Sequence, residues 1–251
     1  YGTETAGGRT MKLELNQLEK KFGDKKVLNG LNLDIEDHHI IGVIGPSGGG
    51  KSTLLRMIAG FESISNGQIH LNDINVGQEK ERLHKRCGFV FQSHHLFLHL
   101  TVLENITLIL EKVHGYSSQE AEEKAIRLLD KFGLKQHVNK KPQQLSGGQS
   151  QRVAIIRALA IDPDVLLFDE PTSSLDPVLT YDVLETILEL KKEKKDFVIV
   201  THEIGFVKEV ADYIVFIHEG EIVEHGPVEI VEEPKTDQLD DFLSKVFSWT
   251  N

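Results

Sequence analysis

The chain has 251 residues, 28 Lys+Arg against 39 Asp+Glu for a formal charge of −11, and one cysteine. That length accommodates one large domain, or a core carrying a subdomain, with a sizeable buried interior. The acidic balance argues against broad nucleic-acid affinity, and a lone Cys87 excludes a disulfide-stapled fold and suits a reducing compartment, the cytoplasm being the simplest home.

Residues 1–10 (YGTETAGGRT) are small and polar and stop just before Met11, so they read as a tag-like or disordered start, and 11–251 as the working domain. Apolar alternation at Leu13 and Leu15, then at Leu31, Leu33 and Ile35, predicts strands. Ile40-Ile41-Gly42-Val43-Ile44 reads as a strand buried on both faces, followed by a glycine-rich turn over Gly45–Gly50 and a helix from Ser52 to Ala59 closed by Gly60. Asn66-Gly67 is a hairpin signal, and Cys87–Phe91 is strand-like. The stretch Cys87–Leu103, the longest without Asp, Glu, Lys or Arg, holds three histidines and is too polar to span a bilayer.

The middle of the chain changes character. Ser117-Ser118-Gln119-Glu120 is a capping box opening a helix through Phe132, Ser146 opens another through Ala160, and about 96–161 reads as a helical insertion. Buried strands return at Val165–Phe168 and Phe197–Val200, separated by a helix from about Val178 to Lys195. A hairpin around Glu219-Gly220 follows, and Leu239, Phe242, Leu243, Val246 and Phe247 give the tail an amphipathic helical stripe.

Three motifs carry chemistry. Gly45-Pro46-Ser47-Gly48-Gly49-Gly50-Lys51-Ser52 fits G-x-x-x-x-G-K-[ST], a strand-to-helix loop whose N–H groups and helix dipole cradle phosphates. Within that loop and the following Thr53, Lys51 is expected to reach the β- and γ-phosphates of a nucleotide and Ser52 to coordinate Mg²⁺. Val165–Phe168 leads into Asp169-Glu170, two adjacent carboxylates that are costly at a buried strand end unless they meet a cation or move a proton. Asp169 suits the metal and Glu170 the base that polarises water. Leu145-Ser146-Gly147-Gly148-Gln149 opens a helix and forms a second anion site, 95 residues past Lys51. One chain needs a single cradle for a triphosphate, so a second makes sense if it caps the nucleotide held by another copy.

With these motifs in place, the chain resembles the ATP-binding subunit of an ATP-binding cassette (ABC) transporter over about Met11–Phe247. The resemblance implies an α/β P-loop NTPase core with a mostly parallel sheet, a small antiparallel β lobe and a helical signature subdomain. It also implies ATP and Mg²⁺ as ligands, with Gln92 in Val-Phe-Gln sensing Mg²⁺ and the membrane partner. Ser173-Ser174-Leu175-Asp176 is similar to the D-loop that links two sites, His202 to the switch histidine at the γ-phosphate, and Phe22, ahead of Val27, to the aromatic on which adenine stacks. Two copies are expected to close head to tail, with Ser146 and Gly148 of one reaching the γ-phosphate held by the other.

Departures from the family pattern are Gly49 in place of a common Ser, His38-His39 in place of Gly-Glu, and Leu98-His99 in place of Pro-His, the last where the family meets its membrane subunits. No Cys or carboxylate set at ligand spacing accompanies His38-His39 or His94-His95. The surroundings of Gln92, the stretch Thr201–Phe206 and the tail Phe242–Phe247 resemble the ATPases of bacterial polar amino-acid importers. The expected partners are a second copy, transmembrane permease subunits and, indirectly, a solute-binding protein, with no nucleic acid, at the cytoplasmic face of the cell membrane. The alternatives are an ABC exporter ATPase, a soluble ABC ATPase acting on nucleic acid or ribosomes, and, more distantly, a P-loop kinase.

Overall fold

A computed structural model describes residues 10–248, so all but the last residue of the expected N-terminal tag lies outside the described residues. The alternating stretch after Met11 forms β1 (Met11–Phe22) and β2 (Lys25–His38), with Leu13, Leu15, Leu31, Leu33 and Ile35 all buried. They join β4 (Asn66–Leu71) and β5 (Ile74–Asn75) in an antiparallel sheet of order β2-β1-β4-β5.

Asn66-Gly67 is not the hairpin turn that its composition suggests. Both residues belong to β4, where Asn66 pairs with Glu19 across a register shift in β1. A Cβ at Gly67 would lie 2.3 Å from the Gln17 carbonyl oxygen, so this glycine serves a close backbone approach at a bulge. The turn comes later, between β4 and β5, where Asn72 takes φ 54°.

The second sheet holds β3 (Ile40–Ile44), β6 (Cys87–Val90), β7 (Val165–Asp169), β8 (Asp196–Val200), β9 (Tyr213–His218) and β10 (Glu221–Pro227). Its order is β10-β9-β3-β8-β7-β6, parallel throughout except for the β9–β10 hairpin. β3 and β7 are buried at every residue because both faces are covered, as their unbroken apolar runs require. One face packs on the antiparallel sheet and α1 (Lys51–Ile58), and the other on the remaining long helices. α2 (Lys80–Arg86) lies between β5 and β6, and α3 (Val102–Lys112), α4 (Ser118–Lys131) and α5 (Gly147–Leu159) between β6 and β7. α6 (Pro177–Lys192), α7 (Ile204–Val210) and α8 (Asp237–Ser248) complete the chain. The Ser117–Glu120 capping box is formed, with Ser117 as N-cap. α8 buries Leu239 and Leu243, and its approach is clasped by Glu224, which accepts from the backbone N–H groups of Lys235 and Thr236 and from the Thr236 hydroxyl.

Candidate functional site

In a parallel sheet every strand delivers its following loop to the same end, which is where ligands bind. The loops after β3, β8, β7 and β6, four neighbours in that order, therefore bring together Gly45–Ser52, His202, Asp169-Glu170 and Gln92. The first loop is wedged tightly. Gly45 sits at φ 143°, and a Cβ there would lie 2.0 Å from the Ile217 carbonyl oxygen, while one at Gly50 would meet Leu28 Cδ2 at 2.6 Å. Gly49 tolerates more, since its Cβ would lie 3.1 Å from the Pro46 oxygen, so the Ser common at that position fits with a small shift.

α1 differs from other long helices in its start. Thr101, Ser117 and Ser146 cap α3, α4 and α5 with full capping boxes, and Asp176 caps α6, but Gly50 ahead of α1 supplies no side-chain cap. The first N–H groups of α1, at Lys51, Ser52 and Thr53, consequently point at the loop with the positive end of the dipole behind them. Lys51 is buried, its Nζ donating to the Pro46 carbonyl at 2.8 Å. Burial pushes its pKa down, and the nearby carboxylates of Glu170 and Asp169 only partly offset that effect. A buried ammonium with lowered pKa beside uncapped N–H groups is a site for an anion.

Asp169 and Glu170 part company. Asp169 is fully buried; its Oδ2 accepts from Arg56 Nε and Nη2 at 3.2 and 3.0 Å, and its Oδ1 has no hydrogen-bond partner among the described residues. Glu170 leaves the strand in a left-handed conformation at φ 46°, rare for a side chain this long, and its Oε2 lies 3.0 Å from His202 Nδ1. The His202 contact, helped by Lys51, holds the Glu170 carboxyl below the usual carboxylate range against the opposing effect of burial. Glu170 raises the His202 pKa in turn. An ionised Glu170 only accepts, so His202 Nδ1 carries the proton donated to it, and Nε2 is left for another partner.

The remaining predicted residues divide. Phe22, at the end of β1, is 48% exposed, with the Lys20 ammonium 4.6 Å from its ring centroid. Val27 lies at the edge of the phosphate loop, its carbonyl oxygen 3.2 Å from where a Gly50 Cβ would be. Gln92 is exposed, and its carbonyl accepts from the Ser174 hydroxyl at 3.4 Å. Asp176 is exposed and accepts from the N–H groups of Val178 and Leu179. Among the described residues, no hydrogen bond or ion pair joins Ser146–Gln149 to the Gly45–Thr53 loop of the same chain. Ser146 accepts from Gln149 N–H at 3.2 Å while Gln149 Oε1 accepts from Ser146 N–H, leaving the Ser146 hydroxyl proton free to donate. Gly148 also has an internal reason to be glycine, since a Cβ would press on Leu179 at 3.2 Å.

Sequence reasoning missed the brace behind the phosphate loop. Gly220 N–H donates to the Gly49 carbonyl, Asn29 N–H donates to the Gly220 carbonyl, and Ile217 fills the space beside Gly45. Nothing local in Glu219-Gly220 distinguishes this turn from an ordinary hairpin. Also unforeseen is a cleft of about 600 Å³ next to Gln92, floored by Phe61, Phe89 and Phe91, walled by Ile109 and Val113, with Arg157 at its side. Phe61 and Phe91 stack there with centroids 5.7 Å apart.

With this geometry in view, the family model described as ABC transporter matches residues 28–173. The chain belongs to the ABC transporter family. This ABC cassette is 43% identical over 238 residues to the glutamate/aspartate import ATP-binding protein GltL of Escherichia coli K12, covering 93% of this chain and 99% of that one. The arginine transport ATP-binding protein ArtM of Bacillus subtilis is 46% identical over 238 residues, again covering 93% of this chain and 99% of that one. Among solved structures, the dimeric post-hydrolysis state of the ATP-binding cassette MJ0796 with ADP and Pi matches at TM-score 0.76 and 33% identity, covering 86% of this chain and 98% of that one. CbiO1 of Clostridium perfringens, part of the transporter complex cbiONQ, matches at TM-score 0.78 and 28% identity, covering 89% of this chain and 91% of that one. The expected P-loop core, parallel sheet and antiparallel β lobe are borne out, and the chain is an ATPase of this family. Among the described residues, no helix is long and apolar enough to cross a membrane.

Proposed function

We propose that this cassette hydrolyses ATP to power uptake of a polar amino acid, working at the cytoplasmic face of the membrane as a head-to-tail homodimer beneath separate permease subunits. A solute-binding protein would deliver the substrate to the permease. The relatives' names support the substrate class, covering glutamate/aspartate, arginine and glutamine. The observation that carries the chemistry is the Glu170–His202 contact beside the buried Lys51.

ATP is taken to lie with its phosphates in Gly45–Thr53 and its adenine on Phe22 beside Val27. The N–H groups at the start of α1 and Lys51 hold the phosphate oxygens. Glu170, kept ionised by His202, orients and polarises a water more than it abstracts a proton, since a lowered pKa makes a weak base. When His202 is protonated, as the neighbouring Glu170 favours, both ring nitrogens donate, and the Nε2 N–H is available to the γ-phosphate as charge builds there. Mg²⁺ fits the residues present: the buried, unpartnered Asp169 Oδ1 and the Ser52 hydroxyl would hold it, with Gln92 reaching in from the next loop. When bound it would offset charge on the β- and γ-phosphates.

Ser146, with its free hydroxyl proton, and the N–H groups of Gly147 and Gly148 would cap the γ-phosphate of the partner copy, with Asp176 shaping the D-loop between the sites. We take 96–161 as a helical subdomain carrying that turn, and the aromatic cleft beside Gln92 as the seat of a helix from the permease. The test is uptake by cells. Deleting the gene should abolish uptake of one labelled polar amino acid, and wild type but not Glu170→Gln should restore it. Unchanged uptake of the polar amino acids in the deletion strain, with export of some solute lost instead, would overturn the import reading.

A further inference from the structure

Arg56 has no part in the scheme above, yet it makes the closest polar contacts of the carboxylate assigned to the metal. Ser52 and Arg56 stand four residues apart on α1, one above the other on the same face, and α1 packs against β7. Asp169 is the last residue of β7, and Arg56 reaches it from α1. Its Oδ2 accepts two hydrogen bonds from one edge of the guanidinium, from Nε at 3.2 Å and from Nη2 at 3.0 Å. Its Oδ1 is buried and has no partner among the described residues. A carboxylate held by a guanidinium edge at one oxygen loses its rotational freedom, so the orientation of the other oxygen is fixed.

We propose that Arg56 is a positioning residue for divalent-cation binding, fixing the Asp169 carboxylate so that Oδ1 is presented toward the Ser52 side of the site. The inference rests on the reading of Asp169 as a metal ligand. Truncating Arg56 opens no core cavity, since its side chain is 44% exposed, but it leaves the Asp169 carboxylate, whose side chain is 1% exposed, without its charge partner, a cost that Arg56→Lys reduces by keeping the charge. The Arg geometry matters as well as its charge, because Lys offers a point charge in place of a two-nitrogen edge.

The experiment measures binding, not turnover. A fluorescent non-hydrolysable ATP analogue is titrated onto the full chain without metal, and Mg²⁺ is then titrated at fixed nucleotide, with wild type, Arg56→Ala, Arg56→Lys and Asp169→Asn. Loss of a residue that orients a metal ligand typically costs 10–100-fold in metal affinity. Arg56→Ala should therefore shift the Mg²⁺ midpoint upward by about tenfold or more while metal-free nucleotide affinity stays at the wild-type value, with Arg56→Lys in between. An unchanged or lowered midpoint in Arg56→Ala overturns the proposal, and so does an equal loss of metal-free binding, which would mean a general structural role. Asp169→Asn separates the two layers. If it leaves the midpoint unmoved, the metal assignment of Asp169 fails; if it moves the midpoint and Arg56→Ala does not, only the role of Arg56 fails.

Discussion

Ser146 has two separable tasks, and one substitution can divide them. Within its own chain the hydroxyl caps α5 by accepting from Gln149 N–H at 3.2 Å. Across the proposed dimer its proton faces a γ-phosphate. Ser146→Ala removes both and should cost about 1 kcal/mol of stability for the lost cap, or about 2–4 °C in melting temperature for a chain of this size. Ser146→Asp keeps the cap, because Asp is as good an N-cap as Ser, so its melting temperature should stay within about 2 °C of wild type. It also places a carboxylate against the partner's phosphate. Two unit charges about 4 Å apart at an effective dielectric near 20 repel by about 4 kcal/mol, close to a thousandfold in an equilibrium constant. Calorimetry on the single variants, with gel filtration in ATP on the Glu170→Gln background, reads the two tasks apart. Ser146→Asp should melt like wild type and fail to dimerise. If it melts as low as Ser146→Ala, the capping account is wrong; if it still forms the ATP-dependent dimer, Ser146 does not face a phosphate.

Two further outcomes follow from the site. Phe22→Ala should weaken ATP binding about 2–10-fold, the value of about 0.5–1.5 kcal/mol for one aromatic contact, whereas Phe22→Tyr should bind as wild type; a fluorescent-nucleotide titration checks both, and equal affinity for all three removes adenine from Phe22. The His202 imidazole should titrate above the ordinary value of 6.5 by NMR, and Glu170→Gln should bring it down, because Glu170 is the main cause of the rise. A raised His202 stabilises the pair fully below pH 6.5 and loses that contribution as pH rises through its folded value, while a lowered Glu170 contributes above pH 4.5 and loses it on acidification. The pair is thus strongest between those limits, and a His202 that titrates below 6.5 in wild type contradicts the contact.

Features that depend on neighbours in the chain are legible in the sequence. Gly45–Ser52 between a buried strand and a helix, the Ser117 and Ser146 caps, and the unbroken apolar runs of β3 and β7 all follow from local sterics and hydrogen bonding. What escaped depends on residues far apart. Gly220 braces Gly49 across 171 residues, and Arg56 reaches Asp169 across 113. Neither leaves a local pattern. Asn66-Gly67 misled for the related reason that glycine serves close backbone approach as well as turning, and only the neighbouring strand decides which. The helices α2 and α7, at seven residues each, are too short to show a periodic stripe.

In the proposed dimer each chain supplies half of each catalytic site, with Glu170 at the water and Ser146–Gln149 of the partner over the phosphate. The most direct measurement is gel filtration with light scattering of Glu170→Gln with and without ATP, beside phosphate release by wild type. Glu170→Gln should release no phosphate and should elute as a dimer in ATP and as a monomer without it. A Glu170→Gln chain that stays monomeric in ATP, or that hydrolyses at the wild-type rate, contradicts that arrangement.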